Sequence, residues 1–208
     1  MTTDVEFWVD PACPWCWVTA RWIVEEVAPR RDLAITWQPI SLLFKNDPPV
    51  DSPYYEGASR THRMLRVMQA IRAELGDGAV CDRYWQCATR VPHDQDSGFD
   101  LADALEHIGL DRKFADAADD ESWDASVRAG MDRGLELVGN DVGTPIIAFS
   151  ADDGVTRGSF GPVLTRVPTG EQALKVWDAM EAFTTMDGFW ELKRTRTEGP
   201  SIGERPAV

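Results

Sequence analysis

Two cysteines three residues apart, Cys13 and Cys16, stand in the segment Asp10-Pro11-Ala12-Cys13-Pro14-Trp15-Cys16. The chemistry open to such a pair is thiol–disulfide exchange: one thiolate attacks a sulfur and the second thiol displaces the adduct. The flanks say how the pair is held. Val5-Glu6-Phe7-Trp8-Val9 reads as a strand and Trp17 to Val27 as a helix. A C-x-x-C between strand and helix reads as a redox motif rather than a metal clamp. Cys13 is expected at the helix N-cap, with Pro14 at the first helical position, where its missing N–H would have no partner anyway. The free N–H groups of the first turn and the helix dipole then favour a thiolate on Cys13. This makes Cys13 the expected nucleophile and Cys16, one turn on, the resolving thiol. The competing readings are a structural zinc half-site and two incidental cysteines.

A second segment points to the same place. Gly143-Thr144-Pro145 precedes the apolar run Ile146-Ile147-Ala148-Phe149, and a proline just before a strand is a candidate for a cis peptide in a tight turn. Trp15, inside the pair, either stacks on a flat substrate or packs against the rest of the chain, and the substrate role is favoured. Asn46, Tyr54 and Tyr55 fall where a proline-rich loop hands over to helices. There they either contact substrate by ring and hydroxyl or form a plain rim. His62 is a candidate proton donor, with a helix-surface histidine as the favoured alternative. His93 and His107 read as surface residues. Asp10 either caps the turn that follows it or shuttles a proton for Cys16, and the cap is favoured. Cys81 and Cys87, six apart on one helix, face different ways and cannot bridge. Their spacing does not suit zinc either, so no bound metal is expected. The acidic run 116–121 reads as a solvated helix end. Lys193-Arg194-Thr195-Arg196 could meet an anionic thiol or substrate, but a solvated tail is favoured. No glycine-rich phosphate loop is present, so no bound nucleotide is expected.

The elements that must position these residues follow from periodicity and punctuation. Strands are expected at 4–9, 34–37, 146–150 and 155–160, the last two separated by Ala151-Asp152-Asp153-Gly154, whose Asp-Gly is a hairpin signal. A helix is expected at 13–28, giving a βαβ crossover. Pro48, Pro49 and Pro53 make 45–53 a loop. Helices follow at about 58–75 and 80–90, then one lined by Leu101, Leu105 and Ile108. A further one is lined by Trp123, Val127, Met131, Leu135 and Val138, with Ser122 as its cap. A last helix spans about 170–185, and 191–208 reads as a polar tail. The expected organisation is therefore an α/β domain from 1–53 and 139–208, interrupted by an all-helical insertion at 54–138.

Composition narrows the partners. A chain of 208 residues that is 43% hydrophobic supports an ordinary core. The net charge of −14 disfavours nucleic acid and anionic membranes, which need basic surface. No apolar run is long enough to span a bilayer. The N-terminus has no basic region followed by an apolar stretch, so a cytoplasmic protein with a resting dithiol is expected. The nine tryptophans could build a core or a homodimer face.

The order βαβ, helical insertion, ββα around a C-x-x-C resembles the DsbA-like branch of the thioredoxin superfamily along nearly the whole chain. Within it, Phe7-Trp8-Val9-Asp10-Pro11-Ala12-Cys13-Pro14-Trp15-Cys16-Trp17, Thr19-Ala20-Arg21-Trp22 and Gly188-Phe189-Trp190-Glu191-Leu192-Lys193 look most like the mycothiol-dependent nitroreductases. The resemblance implies a thioredoxin-like fold with an inserted helical subdomain. It implies that Pro145 is cis and packs beside the cysteines, with the Thr144 backbone offered to an incoming partner. It also implies mycothiol as the reducing thiol and disulfides or nitro compounds as substrates. Glutathione-linked or general dithiol chemistry is the alternative within enzymes, and a non-catalytic binding module or holdase is the alternative outside them.

Overall fold

The computed structural model describes residues 2–94, 98–151 and 153–206, excepting the side chains of Cys81, Asp82, Arg83 and Gln86. Strand β1 (Thr3–Val9) carries the alternation that organises the molecule. Val5, Phe7 and Val9 point to one face and Trp8 to the other, as a period of two requires. Paired on both edges, β1 is an inner strand of a four-stranded sheet, and both of its faces are covered. β2 (Leu33–Pro39) pairs parallel to it, and β3 (Ile146–Ser150) pairs antiparallel on its other side. β4 (Thr156–Phe160) closes the sheet as an antiparallel edge, giving the order β2-β1-β3-β4. This is the thioredoxin-like α/β arrangement that the strand order in the sequence predicts. Asp152 of the expected hairpin turn lies outside the described residues.

The crossover from β1 to β2 is not one regular helix. α1 (Pro14–Arg21) continues as a π-helix from Trp22 to Val27, closed by a wide-turn bond from the Ala28 N–H to the Ile23 carbonyl at 2.8 Å. The wider turn places Trp22, Ile23 and Val27 all in the core, where Trp22 donates its ring N–H to the Ala173 carbonyl at 3.1 Å. After β2 comes α2 (Leu42–Asn46), a short helix inside the stretch expected to be loop from residue 45. Ser41 caps it by accepting from the Phe44 N–H at 3.2 Å, and Asp47, left-handed at φ 41°, ends it before Pro48.

Four further α-helices precede β3: α3 (Tyr55–Leu75), α4 (Gly78–His93), α5 (Leu101–His107) and α6 (Asp124–Val138). The expected helices at 58–75 and 80–90 are thus longer at one or both ends, and Pro92 sits in the last turn of α4. The acidic run lies in 3-10 turns, Arg112–Asp119 and Glu121–Trp123, rather than at a helix end. Ser122 is not the cap of α6: it lies inside the 3-10 turn Glu121–Trp123, whose own cap is Asp120, accepting from the Ser122 N–H at 2.9 Å, and α6 starts directly after Trp123 with no side-chain cap. The helical stretch shares the sheet's core through Leu65, Met68, Val80, Tyr84 and Val127. It also keeps a smaller core of its own around Ile71, Leu105 and Phe114. α6 covers the Trp8 face of β1. It comes so close that a Cβ on Gly134 would lie 2.7 Å from the Trp8 ring nitrogen, and one on Gly130 2.7 Å from Pro39 Cγ. α7 (Gly170–Thr185) packs Trp177 against Phe149 and Trp22 on the opposite face. Among the described residues no helix is long and apolar enough to cross a membrane.

Candidate active site

The site begins where β1 ends. The buried Asp10 receives the Ala12 N–H on one carboxylate oxygen and the Leu42 N–H on the other, each at 2.8 Å, and its own carbonyl accepts from the Cys13 N–H at 3.0 Å. It therefore caps the turn, as its position in the sequence suggests, and ties that turn to the start of α2. Burial pushes its carboxyl above the usual range, against the two N–H groups and the Thr61 hydroxyl that stabilise its charge. The turn delivers Cys13 to the N-cap of α1, in extended backbone at φ −86° and ψ 109°, with Pro14 opening the helix. Cys13 Sγ accepts from the Cys16 N–H at 3.4 Å.

The two thiols are pushed in opposite directions. Cys13 lies below the ordinary thiol range. The S–H of Cys16 hydrogen-bonding to it is the leading cause, with the Cys16 and Trp15 N–H groups adding to it. Burial and the Asp10 charge act the other way. The partner thiol thus contributes more than the helix terminus. Cys16 lies well above that range, first because it is fully buried and second because Cys13 is its neighbour. Cys13 keeps 6% of its surface exposed and Cys16 none, and both are free thiols.

The loop before β3 closes over the pair. The Thr144–Pro145 peptide is cis, and the Thr144 carbonyl faces Cys13 Sγ at 3.8 Å. The Thr144 side chain does something the sequence did not reveal. Its Oγ1 lies 2.6 Å from Cys16 Sγ and also donates towards the Trp8 carbonyl at 3.4 Å. Cys16 Sγ in turn is 3.9 Å from that same carbonyl. Each thiol therefore has its own atom of Thr144: the carbonyl for Cys13, the hydroxyl for Cys16. A threonine before a strand-leading proline is the only sequence signal for this contact, and it does not say which cysteine the hydroxyl meets.

Pro14, Trp15, Thr144 and Pro145 are thus gathered at the cysteines, with Trp15 half-buried at the rim. Asn46 is exposed at the end of α2 and Tyr55, half-buried, opens α3, while Tyr54 is 77% exposed. Among the described residues none of these three makes a hydrogen bond or ring contact with Cys13, Trp15 or Cys16. His62 is not the helix-surface residue expected. It is 2% exposed, with Nδ1 2.9 Å from Ser41 Oγ and Nε2 2.9 Å from Asp124. Both ring nitrogens are engaged inside the fold, so the ring is not presented to a substrate. Burial lowers its pKa against the opposing pull of Asp124. Ser41, His62 and Asp124 have the residue types of a hydrolase triad but not its geometry: the serine meets Nδ1 and the aspartate Nε2, the reverse of the catalytic arrangement, Ser41 is fully buried and Asp124 is shared with Arg66 at 2.5 Å. The group is a joint between the start of α2 and helices α3 and α6.

His93 departs from expectation too: it accepts the Trp17 ring N–H at 2.9 Å and so braces α1 against α4. His107 is exposed, as expected. Cys87 is buried, whereas the Cys81 side chain lies outside the described residues. Among the described residues no cluster of histidine, cysteine or acidic side chains is arranged to hold a metal ion. The basic tail is not simply solvated, because the Arg196 guanidinium carbon lies 5.3 Å from the centre of the Trp15 ring.

Known proteins carry the same frame. The family described as "Rv2466c-like: Mycothiol-dependent nitroreductase Rv2466c" matches residues 12–194. An uncharacterised protein of Mycobacterium tuberculosis, Rv2286c, is 26% identical over 208 residues, covering 94% of this chain and 83% of its own. Among solved structures, the cytosolic disulfide reductase DsbM from Pseudomonas aeruginosa superposes with a TM-score of 0.57 at 12% identity. That match covers 86% of this chain and 98% of DsbM. A probable DsbA oxidoreductase from Streptomyces coelicolor, SCO1869, does so with a TM-score of 0.54 at 17% identity, over 99% of both chains. At these identities the two structures establish the DsbA-like thioredoxin fold.

Proposed function

We propose a function from one premise: this chain belongs to the Rv2466c-like family, and it is a thiol–disulfide oxidoreductase on a DsbA-like fold. The finer reading is a cytoplasmic enzyme that uses Cys13 and Cys16 as its working dithiol, is reduced by mycothiol, and passes electrons to disulfides or nitro compounds. The observation that carries the dithiol assignment is the division of labour in the pair. Cys13 is depressed and slightly exposed; Cys16 is elevated and sealed against Thr144.

The chemistry follows from that division. The Cys13 thiolate attacks one sulfur of a disulfide, forming a mixed disulfide and releasing a thiolate. Cys16 then loses its proton and attacks Cys13 Sγ. This releases the second substrate thiol and leaves a Cys13–Cys16 disulfide. Two mycothiol molecules restore the dithiol: the first attacks Cys13 Sγ and frees Cys16, the second attacks the sulfur of the first, and mycothiol disulfide leaves. With a nitroaromatic as acceptor, one dithiol supplies two electrons and two protons, giving the nitroso compound and water. The Thr144 carbonyl is positioned to accept a hydrogen bond from an incoming partner, and the Trp15 ring offers it a flat surface.

The test is turnover with mycothiol or glutathione as sole reductant, against a disulfide and a nitroaromatic, for the wild type, Cys13→Ser and Cys16→Ser. Mycothiol-driven turnover that disappears in Cys13→Ser is the expected result. Turnover with glutathione alone would remove the mycothiol assignment. Absence of thiol-driven turnover would turn the reading towards a non-catalytic binding module.

A further inference from the structure

The described part of the tail after residue 190 has neither helix nor strand, yet it is fastened from residue 198 to residue 205. Glu198 pairs with Arg166 at 2.6 Å, and the Ser201 N–H donates to the Thr165 carbonyl at 2.7 Å. Arg21 of α1 donates from one nitrogen to the Ile202 and Glu204 carbonyls, at 2.6 and 2.9 Å, and Ile202 packs on the main core. Arg205 forks onto Asp94 at 2.7 and 3.0 Å. These anchors span both sides of α1, the helix whose first turn holds the cysteines. Among the described residues, Arg196 of the tail meets the cysteine motif, over Trp15. Among the described residues Arg196 has no carboxylate partner, in a chain with 35 acidic residues. The family match ends at residue 194, so this contact lies beyond it.

We propose that residues 195–206 form a fixed strap that makes Arg196 a specificity-determining residue, forming with Trp15 a rim on Cys13 that receives flat electrophiles bearing a carboxylate or nitro group. The proposal rests on the function read above. Its chemistry is that of a guanidinium, a planar fork that matches two oxygens side by side and also lies flat on aromatic rings. Trp15 supplies the face on which such a substrate stacks. The net charge of −14 repels anions, so a cation held over Trp15, two residues from the nucleophile, changes which substrates approach it.

The test separates charge recognition from thiol chemistry. Reduced full-length protein is mixed in a stopped-flow instrument with 5,5′-dithiobis(2-nitrobenzoate), a flat dianion carrying nitro and carboxylate groups, or with 2,2′-dithiodipyridine, flat and neutral. Arg196→Gln should slow attack on the dianion about 1.5- to 5-fold, the range of one charged contact at an exposed site, and leave the neutral reagent unchanged. Arg196→Lys should restore part of the preference. Ionic strength of about 0.5 M should erase it, because screening then acts within a few ångströms. Arg194→Gln removes the same charge from the same tail and should leave the ratio of the two rates unaltered. Equal acceleration with both reagents would mean that the strap merely covers Cys13, and would overturn the proposal. So would an unchanged ratio in Arg196→Gln, or an equal loss in Arg194→Gln. A wild type inert to both reagents would overturn the dithiol reading and this proposal with it, whereas a reactive wild type without preference for the dianion overturns this proposal alone.

Discussion

Replacing Thr144 by valine tests the geometry around the resolving thiol most directly. Valine keeps the shape and removes one hydroxyl. In the dithiol state that hydroxyl sits between Cys16 Sγ at 2.6 Å and the Trp8 carbonyl at 3.4 Å, and it has one proton to give. When Cys16 ionises to attack, its sulfur becomes a pure acceptor and the hydroxyl turns its proton towards it. A hydrogen bond to a charged group contributes about 1.5–3 kcal/mol, or about 12- to 160-fold in the ionisation equilibrium. A thiolate that forms less readily is also more nucleophilic, and a Brønsted slope near 0.5 returns about half of the loss on a logarithmic scale. The expected result is resolution slowed about 4- to 13-fold. The assay is the two-step release of chromophore from 2,2′-dithiodipyridine: the first equivalent reports attack by Cys13, the second displacement by Cys16. Thr144→Val should leave the first phase intact and slow the second, and Thr144→Ser should restore it. Equal slowing of both phases, or an unaltered second phase, would refute this account of the hydroxyl.

Three other outcomes follow from the same structure. Cys16→Ala removes the hydrogen bond that contributes most to depressing Cys13, so the pH profile of Cys13 alkylation should move to higher pH, read from rate against pH with iodoacetamide. His62 is held neutral by burial and His93 is lowered in the same way, so both are easier to protonate in the unfolded chain. Their contribution to stability is complete above the unfolded histidine value of about 6.5 and is lost as pH falls below it. His62→Gln should flatten the decline in the urea midpoint between about pH 7 and pH 5. Gly134→Ala places a methyl 2.7 Å from the ring nitrogen of Trp8, which is fully buried and tied to the Gly130 carbonyl at 2.7 Å. Overpacking of about 1–3 kcal/mol should outweigh the gain of up to about 1 kcal/mol in helix propensity, lowering the urea midpoint at unchanged m.

What could be read from the sequence was local. Val5, Phe7 and Val9 alternate within one strand, Cys13 and Pro14 sit at one helix start, and Thr144-Pro145 abuts one apolar run. Each signal is written within a few residues, and together they mark the strands and the cysteine pair at the end of β1. What escaped was pairing across distance. His62 lies on the apolar stripe of α3, in register with Ala58 and Leu65, but its burial becomes intelligible only once Ser41 and Asp124 are seen to meet both ring nitrogens. Chain order puts Asn46 and Tyr55 near the site, but among the described residues neither makes a hydrogen bond or ring contact with Cys13, Trp15 or Cys16. Arg196 meets Trp15 because of anchors at Arg21, Asp94 and Arg166, none of which carries a periodic signal. The π-turn after Arg21 depends on where α7 lies, and α7 is a hundred and fifty residues further along the chain.

The distribution of the indole rings gives the molecule an internal optical scale. Trp8, Trp17, Trp22, Trp37 and Trp177 have at most 1% of their surface exposed, and should emit at short wavelength beyond the reach of iodide. Trp190, 92% exposed, is the natural target of that quencher. Between these extremes stands Trp15, half-buried and flanked in the chain by both cysteines, where a sulfur changing its bonding alters the decay of the excited ring. Steady emission will be dominated by the buried five. The iodide-accessible fraction therefore comes from Trp190 and from the half-buried Trp15, Trp85 and Trp123, and of these Trp15 is the ring beside the cysteines, so a change in that fraction on oxidation can be followed without any label.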